Sequence, residues 1–230
     1  MSRHYSDLGH NNDTQRLLET LVDKTSDPEK YSHTMYELGI QFGHALLGRI
    51  SKEDSITLAC TVEDADSLCR GILEILKTAF KVHLVVFWNR RLKTDEKGQI
   101  SVAPILKEYH EQGYKESNTI IIIKSIISGS CVVRTNLTRL IETSNPYQIF
   151  VAAPVLLKGS IDSLEREFDA DVSSKFQYLY FAEDATKDED GLVEPGIGGD
   201  VYQRLGFQGQ DDKNKYIPNL VKERRLMFSK

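Results

Sequence analysis

Four consecutive isoleucines, Ile120 to Ile123, constrain the fold of this chain more than any other stretch. The run is β-branched, shorter than a helix needs, and followed by Ser128-Gly129-Ser130, so it reads as a fully buried strand. After the glycine the pattern changes. Val132, Val133, Leu137, Leu140 and Ile141 recur at helical spacing with Arg134, Asn136 and Arg139 between them, giving strand, small-residue turn and amphipathic helix. Such a junction gathers free backbone N–H groups and the positive end of a helix dipole at one point, which suits a phosphate or another anion. The plain alternative is an ordinary buried strand and its connection.

Composition bounds the partners. At 230 residues, 40% hydrophobic and 27% charged, the chain suits one α/β domain of ordinary soluble type. A net charge of −5 gives no general attraction to nucleic acid or to an anionic membrane, so neither is an expected partner. Cys60, Cys69 and Cys131 form neither a CxxC nor a Cys/His cluster, so no disulfide framework and no zinc site is expected, and a reducing cytoplasm fits. No apolar run approaches the ~20 residues of a membrane span, and the first residues lack a signal-peptide core.

The chain divides into a loose N-terminal arm over 1–12, a domain over 13–210 and a basic tail over 211–230. In the domain, a short helix from Asp13 stops near Asp27-Pro28, and Pro28 opens a second helix whose apolar face runs from Tyr31 to about Leu47. Ile56 to Cys60 reads as a strand and Ala65 to Phe80 as its following helix. Between them Glu63, Asp64 and Asp66 can cap that helix, hold a metal or repel a phosphate. His83 to Trp88 is a further strand, after which Arg90 and Arg91 either grip an anion or decorate a loop. Leu92 to Ser101 reads as the turn of a hairpin. Strands over 148–155 and 176–181 and a helix over 161–168 complete an alternation that predicts a mainly parallel sheet, with ligands at the carboxyl ends of its strands. The loop around Val193, Pro195, Gly196, Ile197, Gly198 and Asp200 either reads a planar base through main-chain groups or is simply a tight turn.

The series LLETLVDKTSDPEKY, MYELGIQFGHALL, SITLACTVEDADSLCRGIL, VHLVVFWNRR, TIIIIKSIISGS and GLVEPGIGGD resembles, in order and spacing, the uracil phosphoribosyltransferases of the type I phosphoribosyltransferase fold, over about Leu17 to Gly206. The resemblance implies a parallel sheet flanked by helices with a small hood or β-arm, usually dimeric. It places Val193 to Gly198 at the uracil-reading segment and Arg90 at a family arginine. Three sites depart from the pattern. Lys124 stands where the family has an aspartate that accepts ribose hydroxyls, Ser128-Gly129-Ser130-Cys131 stands for Ala-Thr-Gly-Gly, and Glu63-Asp64-Ala65 stands for an Arg-Ala-Gly that meets the diphosphate of PRPP. An ammonium accepts no hydrogen bond, and two anions beside a diphosphate should cost several kcal/mol of binding. The family's acidic residue after its Pro-Gly-Leu-Gly is also displaced, to Asp200, and an N-terminal arginine is Val22.

The reading that follows is a diverged homologue that binds a nucleobase or a nucleotide-like or anionic ligand and has lost or altered the transfer. It would act as a homodimer or as the partner of an active homologue. The alternatives are an active enzyme making UMP or a related nucleotide, with Mg²⁺ if PRPP is used, and repurposed chemistry with Lys124 as a base or covalent amine.

Overall fold

In the computed structural model, which describes residues 3–93 and 101–228, the isoleucine run lies at the centre of an eight-stranded sheet. Strand β1 (Arg3–Tyr5) is followed by α1 (Asn12–Val22) and α2 (Pro28–Leu47). Asn11 accepts from the Thr14 N–H to cap α1, and Asp27 accepts from the Lys30 N–H to cap α2, with Pro28 in its first turn. Strand β2 (Ser55–Thr61) then leads through a 3-10 turn (Val62–Asp64) and a π turn (Ala65–Cys69) into α3 (Arg70–Leu76). Strand β3 (Lys81–Asn89) precedes an arm of β4 (Leu92–Lys93) and β5 (Ser101–Val102), then β6 (Ile105–His110), β7 (Thr119–Ile123) and β8 (Ile126–Ile127). Helix α4 (Cys131–Ile141), β9 (Gln148–Leu157), α5 (Ser160–Glu165), α6 (Ala170–Ser173) and β10 (Phe176–Asp184) complete the sheet region. A ribbon of β11 (Thr186–Lys187) and β12 (Val193–Glu194) and helices α7 (Val201–Arg204), α8 (Gln210–Lys215) and α9 (Asn219–Phe228) follow.

The sheet order is β1-β10-β9-β7-β2-β3-β6, with β8 added beside β9. All pairings from β10 to β3 are parallel, and the edge strands β1 and β6 are antiparallel. Helices cover both faces. Ile121 and Ile123 pack into the core shared with α1, α2 and α3, whereas Ile120 and Ile122 pack into the core shared with α4 and α5. A central parallel strand presents an apolar side chain to each side at every position, which is why four isoleucines run together. On β9, Pro154 has no N–H to donate and sits between the last β7 pairing, at Ala152, and the first β8 pairing, at Val155.

Four expectations change. The N-terminal arm is not loose, because Arg3, His4 and Tyr5 pair with Asp184, Glu183 and Ala182 and Arg3 forms a 2.7 Å ion pair with buried Asp184. The basic tail is two helices packed on the domain, with Lys213 and Val221 buried. The helix expected from Ala65 begins as a π turn and ends at Leu76. The two arms of the hairpin pair through β4 and β5, while residues 94–100 of its turn lie outside the described residues.

Candidate functional site

Parallel strands end with their carbonyls toward one edge of the sheet, and a cavity of about 670 Å³ opens there. Ser128, Gly129 and Ser130, the loop before the 11-residue α4, form one wall with Lys124. A Cβ added to Gly129 would meet no atom within 4 Å, so this loop faces open space. Val193, Asp200 and Tyr202 also line the cavity, and Arg91 and Lys187 add positive charge. Among the described residues neither Arg91 nor Lys187 forms an ion pair.

Lys124 extends β7 by donating its N–H to the Ala152 carbonyl at 3.0 Å. Its ammonium then meets Asp64 at 2.9 Å, Glu63 at 3.1 Å and the Ser125 hydroxyl at 3.1 Å. Asp64 also accepts from the Thr61 hydroxyl at 2.8 Å and the Ser125 N–H at 3.3 Å, and Glu63 meets Lys213 at 3.2 Å. Two carboxylates and two ammonium groups therefore neutralise each other at the ends of β2 and β7, 60 residues apart in sequence for the Lys124–Asp64 pair. Burial alone would lower the Lys124 pKa, but Asp64 and Glu63 outweigh it and raise it well above the ordinary lysine value. Burial would likewise raise that of Glu63, yet Lys124 and Lys213 hold it down, at about 2. Lys213 is pulled below its ordinary value by burial, against the Glu63 charge.

This geometry corrects three readings of the sequence. Lys124 is engaged by Asp64 and Glu63, which favour its protonated form and oppose a role as a base or amine nucleophile. Glu63 and Asp64 do not line the cavity, and neither caps its own helix; Asp66 caps a different one, accepting from the N–H groups of Asn219 and Leu220 at the start of α9. Arg90 and Arg91 part company. Arg90 pairs with Asp211 at 3.2 Å outside the cavity, while the Arg91 main chain is held by Gln210, whose side chain accepts from its N–H and donates to its carbonyl.

The glycine-rich loop is also divided. Val193 and Asp200 line the cavity, but Pro195, Gly196, Ile197 and Gly198 do not. Arg3 donates to the Gly196 carbonyl at 2.6 Å, the Gly196 N–H donates to Asp184 at 2.8 Å, and the Tyr31 hydroxyl donates to the Ile197 carbonyl at 3.0 Å. These main-chain groups are thus occupied within the fold and do not read a base. Gly198, with φ +81°, is required because a Cβ there would lie 2.1 Å from the Leu21 carbonyl at the end of α1.

Sequence reasoning did not single out Arg134, Glu167, Lys187 or Tyr202 as site residues. Arg134 donates to Glu167 at 2.9 Å, and Glu167 also accepts from the Ser130 hydroxyl at 3.0 Å, tying α5's end to the small-residue loop. Arg134 was legible as a polar position four residues after Ser130, but nothing in the chain pointed to Glu167.

No family model matches the chain, and no curated protein matches it. Among solved structures, the AQ2163 protein from Aquifex aeolicus superposes with a TM-score of 0.67 at 15% identity, over 85% of this chain and 94% of that one, which shows a shared fold. A hypothetical protein from Neisseria gonorrhoeae with bound ppGpp superposes at 0.42 with 11% identity, over 66% of this chain and 81% of that one. A hypoxanthine phosphoribosyltransferase from Staphylococcus aureus superposes at 0.40 with 8% identity, over 55% and 65%. The last two scores are too low to define kinship. No described helix is long and apolar enough to cross a membrane.

Proposed function

We propose that this chain is a diverged phosphoribosyltransferase-like protein that holds a nucleotide-like anion in the cavity and no longer carries out the usual PRPP-dependent transfer. The ordered resemblance to uracil phosphoribosyltransferases supports the scaffold, and the cavity's place at the strand ends supports the ligand class. The ligand phosphate sits over Ser128 to Ser130 at the start of α4, where a helix N-terminus favours an anion, and Arg91 and Lys187 in the cavity lining supply charge.

The observation that carries the proposal is what has happened to Lys124. At the wall where the family pattern has a hydroxyl-accepting carboxylate, this chain presents an ammonium already bound to Asp64 and Glu63. It offers no acceptor to a ribose, and it keeps both carboxylates away from the ligand. Among the described residues no cluster of carboxylates or histidines could hold a metal ion: Glu63 and Asp64 bind lysines, Glu167 binds Arg134, and Asp200 accepts from the Tyr202 N–H. Mg²⁺ would enter only on a ligand diphosphate. On the same reading the protein assembles as a homodimer or with an active homologue, which sedimentation alone and in mixture would reveal.

Calorimetric titration with UMP, with uracil and with PRPP plus Mg²⁺, followed by an assay for UMP formation, tests the reading. UMP should bind, and no UMP should form from uracil and PRPP. UMP formation above the enzyme-free rate would establish the active alternative instead.

A further inference from the structure

Lys213 is a buried charge near the cavity that this function leaves unused. Its side chain is 1% exposed, on a helix that the sequence marks only as a basic tail. It touches Glu63 at 3.2 Å and lies over the ring of Tyr202, 4.5 Å from its centroid, while Tyr202 and Lys124 both line the cavity. The cluster of Lys124, Lys213, Glu63 and Asp64 carries two positive and two negative charges. Without Lys213 it would carry one net negative charge directly behind the cavity wall, in an interior where screening by solvent is weak.

We infer that Lys213 sets the affinity of the cavity for anions without touching the ligand: it is a positioning residue whose charge cancels Glu63 and leaves the wall neutral. The same helix supports this from a second direction. Gln210, one turn earlier, fixes both main-chain polar groups of Arg91, and Asp211 holds Arg90, so α8 controls both the neutral wall and the orientation of a cavity cation. A docked α8 therefore makes the cavity receptive to a phosphate, and loss of its lysine makes it repellent.

The inference rests on the anion-binding reading above, and the test separates the two. UMP and inorganic phosphate are titrated into the full chain and its variants by calorimetry. Lys213→Met should weaken UMP binding about tenfold. Lys213→Gln, which keeps an N–H donor toward Glu63, should weaken it equally and serves where the methionine variant fails to fold. Adding Glu63→Gln to either should bring affinity back to within about twofold of wild type, because Lys124 and Asp64 then balance alone. Glu63→Gln by itself should bind no more weakly than wild type. Packing damage does not produce recovery on removing a second charge. Equal UMP affinity in wild type and Lys213→Met, or no recovery in the double variant, would overturn this inference alone. Failure of the wild-type chain to bind either anion would overturn the anion-binding reading and this inference with it.

Discussion

Lys124 shows how much a single side chain depends on partners that its local sequence does not reveal. Removing it leaves Glu63 and Asp64, 5% and 1% exposed, with Lys213 as the one remaining cation for two buried carboxylates among the described residues. Breaking a buried pair from one side costs about 3–5 kcal/mol, so Lys124→Met should lower unfolding free energy by that amount in urea titrations. Lys124→Asp, which restores the family's carboxylate, should be worse, because it puts three carboxylates beside one ammonium. Glu63 adds a pH signature. Its folded-state pKa lies near 2 against an ordinary 4.5, so its stabilisation is complete above 4.5 and lost as the pH falls through 2. Denaturation midpoints followed from pH 6 to pH 2 should fall more steeply for wild type than for Glu63→Gln; parallel curves would mean Glu63 is not held ionised. The sequence shows the lysine and the carboxylates as departures from a family pattern that weaken PRPP binding. That they cancel one another was not legible, since the pairing spans 60 residues and depends on β2 lying beside β7.

At the scale of elements, periodicity was informative where a segment meets one uniform environment. The isoleucine run, α2 and α4 were legible for that reason, and β6 was not: an antiparallel edge strand with a half-exposed pattern carries no strong period. Close helix contact was equally hidden. A Cβ on Gly71 would stand 2.2 Å from the Tyr36 carbonyl, and one on Gly39 would stand 2.3 Å from the Leu68 carbonyl, so α2 and the turn into α3 touch backbone to backbone. Neither atom can move aside as a flexible side chain would. Gly71→Ala should therefore destabilise by about 1–3 kcal/mol or more, read as a lowered thermal midpoint, while Gly48→Ala, with nothing near its Cβ, should not. Equal midpoints for the two variants would show that the helices can separate without cost.

For the whole molecule, the two chain ends close the fold. β1 fills one edge of the sheet through Arg3 and Asp184, and its three residues are too few to show a period. At the other end, α9 is anchored by Arg224, which reaches Glu111 at 2.6 Å and the Val82 carbonyl at 2.9 Å. Leu220 and Val221, 3% and 0% exposed, complete the core beside the π turn over Ala65–Cys69. The basic composition of this segment suggests solvent, but the lysine and arginine that matter most are spent on buried carboxylates. Removing residues 210–230 would strip Lys213 from Glu63 and Arg224 from Glu111, and would take away two buried apolar side chains, Leu220 and Val221, each contributing about 1.5–3 kcal/mol. Together these losses match a domain's entire margin of about 5–15 kcal/mol. A chain ending at residue 209 should give no cooperative thermal transition and rapid proteolysis, whereas Leu226→Ser and Met227→Ser, at positions 72% and 65% exposed, should stay within about 0.5 kcal/mol of wild type. Cooperative unfolding of the truncated chain at the wild-type midpoint would make the segment a tail after all. It would also free Lys213 from any part in the cavity, because a helix that the fold does not need cannot balance the Glu63 charge behind the ligand.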